Sequence, residues 1–198
     1  GESASLSTSF KEDYLRAAVA NKPQDKRLYV GVSSNILEDS IAFAQLAYSL
    51  GVEDVAATLP TYYKLSEVQM EKYFLDLAEA IPNNLIIYNI PATTHMSIPL
   101  DLLDRLSYHP KIVAIKDSER SLERLDQSLQ LWKDRTDFKH YMGWAGASAY
   151  SLLHGSDGII PSSGNFAPAI YTEMCEAAEQ ADAERANLLQ KQSDELGA

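Results

Sequence analysis

Cysteine is nearly missing from this chain of 198 residues: Cys175 stands alone, which excludes an internal disulfide and a thiolate metal centre. Histidine is sparse as well. His95, His109, His140 and His154 lie far apart without ligand spacing, so no metal ion is expected. Basic charge is short, with 17 lysines and arginines against 28 acidic residues, and a formal charge of −11 would repel a nucleic-acid backbone and an anionic lipid surface alike. Long hydrophobic runs are missing too, and none approaches the ~20 apolar residues that a membrane span requires. The first residues, Gly1-Glu2-Ser3-Ala4-Ser5-Leu6-Ser7, carry neither the basic region nor the apolar segment of a signal peptide. Together with the lone cysteine this fits a reducing cytoplasm. No Gly-x-Gly-x-x-Gly turn and no Walker loop follows any apolar run, which removes support for the usual nucleotide-binding sheets.

What is present is an ordinary globular composition, 45% hydrophobic and 23% charged. Its strongest pattern is a short apolar run followed by a longer helical one. Residues 28–32 read as a strand, and 37–50 as a helix with Leu37, Ile41, Leu46 and Leu50 near one face and Gly51 as its stop. Residues 54–59 form the next strand; Ser66 and Gln69 then make a capping box for a helix carrying Met70, Tyr73, Phe74 and Leu77. Residues 85–88 precede a helix from about Pro99, with proline at its first position. Residues 112–115 precede a helix bearing Leu122, Leu125, Leu129 and Trp132. Residues 138–142 and 158–160 are weaker strands, each followed by an apolar helical segment, and a further helix spans roughly 182–195.

Strands that are almost continuously apolar are buried on both faces, which points to a parallel sheet covered by helices. The expected fold class is therefore α/β, a (β/α)8 TIM barrel of which about six β/α units are present. A barrel of this kind usually needs ~250 residues. The chain is accordingly expected to form a single domain over 1–198 that lacks the first strands and the C-terminal helices.

In such a barrel the active site gathers at the C-terminal ends of the strands. There stand Ser33-Ser34-Asn35, Pro60-Thr61-Tyr62-Tyr63, Tyr88-Asn89-Ile90-Pro91, Lys116-Asp117-Ser118, Gly143-Trp144 and Pro161-Ser162-Ser163. Lys116 directly abuts an apolar strand, where partial burial disfavours the ammonium form. A neutral amine attacks a ketone carbonyl, and the iminium that results is an electron sink for making or breaking an adjacent carbon–carbon bond. Alternatively, Lys116 snorkels to solvent or pairs with Asp117. Tyr88 offers a phenol for proton transfer, or is a core tyrosine with its hydroxyl satisfied at the rim. Glu67, Glu71, Asp101 and Asp104 fit capping and solvated-face positions on helices, and Trp144 either lines a pocket or packs.

Taken together, Tyr62 after Pro60, Tyr88-Asn-Ile-Pro91, Ile115-Lys116-Asp117-Ser118 and Gly155-Ser-Asp-Gly158 through Asn165 resemble the dihydrodipicolinate synthase/N-acetylneuraminate lyase family in order and spacing. The resemblance implies a class I carbon–carbon lyase, with pyruvate as the shared substrate half and no cofactor. It assigns imine formation to Lys116 and proton relay to Tyr88. Tyr62 corresponds to a second tyrosine that in the synthase branch reaches into a neighbouring subunit, so a homotetramer or homodimer is expected. Gly143 and Ile160 match positions that line the pyruvate pocket with backbone groups, and Ser118 and Ser162 match substrate-contacting side chains. Gly1-Glu2-Ser3 resembles the tail of a Gly-Thr-Thr-Gly-Glu motif, whose threonines are absent from this chain.

The departures bear on substrate. The synthases carry an arginine near the position of Thr93, and the sialic-acid lyases an acidic pair where Ala145 and Gly146 stand. What remains resembles the 2-keto-3-deoxy sugar acid aldolases, which act on a 2-oxo acid and an aldehyde. Dihydrodipicolinate synthase or a sugar-acid dehydratase is the alternative within the family, and a non-catalytic barrel acting as a binding or scaffold protein is the alternative outside it.

Overall fold

The computed structural model describes residues 3–197, in two compact units that divide between Val113 and Ala114. The motif fragment Gly1-Glu2 lies outside the described residues. The strands alternate with helices along the chain, as the patterning predicts.

The first unit contains α1 (Thr8–Asn21), β1 (Tyr29–Gly31), α2 (Leu37–Ser49), β2 (Asp54–Ala57), α3 (Glu67–Ala80), β3 (Asn84–Asn89), α4 (Pro91–Thr94) and α5 (Leu100–Leu106). Strands β1, β2 and β3 pair in parallel, with Val55 opposite Val30 and Leu85. Burial follows the sequence closely in β2 and β3, where Val55, Leu85, Ile86 and Ile87 are enclosed, but β1 is largely exposed rather than covered on both faces. Helix α2 also departs from expectation. Its deepest contacts come from Ser40, Ala44 and Ala47, while the leucines flanking them are only half-buried, because small residues let the helix backbone approach its neighbours closely.

Helix α3 starts as predicted. Gln69 Oε1 accepts a hydrogen bond from the Ser66 backbone N–H at 2.8 Å, one arm of the capping box, and Met70, Tyr73, Phe74 and Leu77 form its buried face. Helix α5 begins one residue later than the sequence suggests: Pro99 is its cap rather than its first residue. Between α3 and α5, the Arg105 guanidinium joins Glu67 at 2.8 Å, Glu71 at 3.2 Å and Asp101 at 3.3 Å, so three of the acidic residues read as solvated surface share one cation. Helix α1 has no counterpart in the sequence reading. Of its apolar residues only Leu15 is fully buried, and its one clear signal is the Ser7 cap, whose Oγ accepts from the Phe10 N–H.

β4 (Ile112–Asp117) runs through the division between the units. The second unit continues with α6 (Leu122–Trp132), β5 (Lys139–Met142), α7 (Ser148–Leu153), β6 (Gly158–Ile159), α8 (Pro168–Glu179) and α9 (Ala183–Gly197). Here β4, β5 and β6 pair in parallel, with Lys116 opposite Tyr141 and Met142 opposite both Asp117 and Ile159. Strand β4 is longer than the apolar run alone suggests, extending through Lys116 and Asp117. Tyr171, Met174, Ala177, Ala186 and Leu189 of α8 and α9 form one apolar cluster with Ala149; Leu125, Met142 and Ala147 form another. Of the apolar residues read on α6, Leu125 and Trp132 are buried and Leu122 is exposed at its start.

Among the described residues no helix is long and apolar enough to cross a membrane, and no group of three or more His, Cys, Asp and Glu side chains could hold a metal ion.

Candidate active site

In the second unit the strand ends assemble around Lys116. Successive residues of a strand face opposite sides, so Lys116 and Ser118 share one face at the end of β4 while Asp117 takes the other. The buried Asp117 carboxylate meets the Arg124 guanidinium through Nε–H···Oδ2 at 2.7 Å, and its Oδ1 accepts the Glu119 N–H at 2.9 Å. Asp117 therefore directs its carboxylate into a polar clamp on its own face of the strand. Its backbone carbonyl accepts the Gly143 N–H at 2.6 Å, which carries the parallel ladder past the last paired residues of β4 and β5.

Gly143 explains why a glycine follows β5. A Cβ at this position would stand 3.1 Å from Lys116 Cε and 3.1 Å from the Asp117 carbonyl oxygen, and would collide with Ser118 Oγ. The absent side chain is what leaves room for the lysine and the serine to sit against that backbone. Lys116, Ser118 and Gly143 are thus brought together. Ile160 follows β6 and donates its N–H to the Met142 carbonyl at 2.8 Å, so its backbone is held beside the end of β5. Ser162 lies in the short 3-10 turn Ser162–Asn165 and is exposed, whereas its neighbour Ser163 is buried. The Ser163 hydroxyl bonds to the Tyr171 hydroxyl, which bonds in turn to Ser193, anchoring that turn to α8 and α9. Trp144 is half-buried, and its indole lies over Gly146, where a Cβ would meet Nε1 at 2.9 Å.

His140 faces the interior of the second unit. Its Nδ1 pairs with Ser156 Oγ at 3.1 Å, its Nε2 finds no hydrogen-bond partner among the described residues, and burial holds its pKa below the ordinary 6.5 despite the carboxylates of Asp117 and Asp157.

In the first unit Tyr88 is half-buried on β3, next to Asn89, whose Oδ1 accepts the Ile98 N–H at 3.1 Å and so fixes the connection to α5. Thr93 lies in α4 with its hydroxyl bonded to the Ile90 carbonyl at 3.3 Å. Tyr62 is 77% exposed in the loop after β2 and stacks edge-on with Tyr63, their centroids 4.7 Å apart. That loop is tied down by Asn35 Oδ1, which accepts the Thr61 N–H at 2.7 Å. The tyrosines and Thr93 therefore belong to one unit, and Lys116, Ser118, Gly143, Ile160 and Ser162 to the other.

Sequence reasoning missed the Asp117–Arg124 clamp, the Asn89 anchor and the Ser163–Tyr171–Ser193 chain. The first had a faint signal: a carboxylate beside a strand-end lysine and an arginine in the opening turn of the next helix. The other two depend on how a loop or turn folds back on its neighbours, Asn89 on Ile98 and Ser163 on Tyr171 and through it Ser193.

Parallel strands that alternate with helices define an α/β-barrel type of scaffold. The chain belongs to the dihydrodipicolinate synthetase family, whose model matches residues 1–198. It is 31% identical over 196 residues to a 4-hydroxy-tetrahydrodipicolinate synthase from Alcanivorax borkumensis, covering 99% of this chain and 66% of that protein. Among solved structures, dihydrodipicolinate synthase from Bacteroides thetaiotaomicron superposes with a TM-score of 0.93 at 24% identity, covering 100% of this chain and 66% of that one. A prophage protein of the dihydrodipicolinic acid synthase family from E. coli K12, in complex with pyruvate, gives a TM-score of 0.93 at 24% identity over 99% of this chain and 66% of its own. These likenesses show that the six β/α units have the barrel fold. The chain spans about two thirds of the length of the proteins it matches, 64% and 66% for two of the curated synthases.

Proposed function

We propose that the protein is a class I carbon–carbon lyase or synthase that forms an imine between Lys116 and a 2-oxo acid, with pyruvate as the common half. The observation that carries this reading is the crowding at Gly143, where only a glycine leaves Lys116 and Ser118 their places. Pyruvate bound to the E. coli family member supports the choice of 2-oxo acid.

In the proposed reaction the Lys116 amine adds to the ketone carbonyl, and the carbinolamine loses water to give an iminium. The iminium accepts the electron pair of the carbon–carbon bond as the substrate hydroxyl two carbons away gives up its proton and becomes an aldehyde. The enamine left behind is protonated at carbon and hydrolysed, which releases pyruvate and restores the amine. Tyr88 is proposed as the proton relay, and Ser118 and Ser162, with backbone groups of Gly143 and Ile160, as contacts to substrate.

Thr93 favours an aldolase of the 2-keto-3-deoxy sugar acid type over dihydrodipicolinate synthase. Its hydroxyl is turned back on Ile90, and a threonine offers no cation for a second carboxylate. The synthase remains the second reading, supported by the name of the Alcanivorax relative, and a dehydratase using the same imine is a third. A homodimer or homotetramer, with the exposed Tyr62 reaching a neighbouring copy, and a cytoplasmic location complete the proposal.

Borohydride reduction in the presence of pyruvate is expected to add a pyruvate-derived mass to Lys116. Lys116→Arg is expected to take no label and show no turnover, because a guanidinium keeps its charge and cannot attack a carbonyl. An unlabelled Lys116 under conditions that label a known class I aldolase refutes the imine.

A further inference from the structure

We infer that Arg124 is a positioning residue which, acting through Asp117, fixes the end of β4 so that Lys116 and Ser118 face Gly143. The inference rests on the imine reading for its consequence in catalysis. Its geometry stands independently.

Three contacts converge on Asp117. The Asp117 side chain is 3% accessible, and a buried carboxylate requires a partner. Arg124 supplies it at 2.7 Å, itself only 11% accessible, and the same guanidinium nitrogen lies 3.4 Å from Glu119 Oε2. The second oxygen of Asp117 accepts the Glu119 N–H at 2.9 Å, which closes a tight turn around Ser118. The Asp117 carbonyl accepts the Gly143 N–H at 2.6 Å. The segment 116–119 is thus pinned through both the side chain and the backbone of Asp117.

Arg124 is in turn rigidly mounted. It lies in the first turn of α6, where Ser121 Oγ accepts its backbone N–H at 3.2 Å and its carbonyl accepts the Ser128 hydroxyl at 2.8 Å. Because the pleat alternates, fixing Asp117 toward Arg124 fixes Lys116 and Ser118 toward the other face. On that face Gly143 allows no slack, with Lys116 Cε within 3.1 Å of where its Cβ would be. A planar guanidinium reaches Asp117 and Glu119 together, whereas an ammonium is a point charge with a different reach.

Amide hydrogen exchange and imine trapping on the purified protein test the two halves separately. In Arg124→Met, exchange at the Glu119 and Gly143 amides is expected to quicken on the order of tenfold, as for loss of a charge-assisted hydrogen bond, with amides of the α8 and α9 core unchanged. Arg124→Lys is expected to fall between Arg124→Met and the unsubstituted protein. Millimolar guanidinium is expected to restore part of the protection in Arg124→Ala. The rate at which borohydride traps pyruvate on Lys116 is expected to drop about tenfold or more in the same order, with KM for pyruvate little changed.

Unchanged exchange at those two amides overturns the inference, as does uniform quickening of every amide or undiminished trapping in Arg124→Met. Failure of the unsubstituted protein to take any pyruvate label refutes the imine reading alone, and the order of exchange rates then decides the clamp.

Discussion

At Gly143 a single missing methyl group leaves Lys116 and Ser118 their places beside the end of β5. The Cβ of an alanine there would collide with Ser118 Oγ and sit 3.1 Å from both Lys116 Cε and the Asp117 carbonyl oxygen, so either the serine and lysine rotate away or the ladder past β5 opens. Gly143→Ala is therefore expected to cost about 1–3 kcal/mol of stability through overpacking, measured by urea unfolding. Pyruvate trapping at Lys116 should fall further than stability accounts for. A variant that keeps full trapping would show that this contact is not part of the site. Lys116 was legible in the sequence as a lysine ending an apolar run. That Asp117 points its carboxylate at Arg124 was not, since the partner is chosen by how α6 packs on the sheet.

Element by element, local rules explain most starts and stops. The capping box at Ser66 and Gln69 and the left-handed Gly51 that follows α2 are set by neighbours in sequence, and both were readable. Ala181 breaks such a rule. It joins α8 to α9 with φ at 56°, a conformation that costs a side-chain-bearing residue and suits glycine, and its N–H bonds back to the Ala178 carbonyl at 2.9 Å. Ala181→Gly is expected to stabilise the protein by about 0.5–1 kcal/mol in urea unfolding, and a loss of stability would mean that the alanine methyl makes a contact worth more than the strain. Helix α1 escaped the sequence reading because its apolar face is so thin: with one fully buried side chain it lacks the periodic stripe by which amphipathic helices are found.

For the molecule as a whole, His140 links stability to pH. Burial lowers its pKa below 6.5, outweighing Asp117 and Asp157, while Arg124 acts in the same direction as burial. A histidine depressed in the folded state leaves stability intact above the unfolded pKa, where both states are neutral. As pH falls below about 6.5 the unfolded chain takes up a proton that the folded one refuses, so stability declines by up to ~1.4 kcal/mol per pH unit for this one group. The unsubstituted protein is expected to lose more stability between pH 7 and pH 5 than His140→Gln, in paired urea titrations. Equal losses would show that His140 protonates without cost in the folded state.

The sequence by itself determined the alternation of strand and helix, the parallel sheet and the strand-end lysine, because apolar periodicity, caps and turn residues act over a few neighbours. Through its motifs it also carried the family to which the chain belongs. Only the tertiary structure decided which groups meet at the end of β4: that Gly143 makes room for Lys116 and Ser118, that Arg124 takes Asp117, and that His140 is buried beside them. The Gly143 contacts join neighbouring β/α units and the Asp117–Arg124 pair joins β4 to the helix that follows it, and their distances follow from how helices and strands pack.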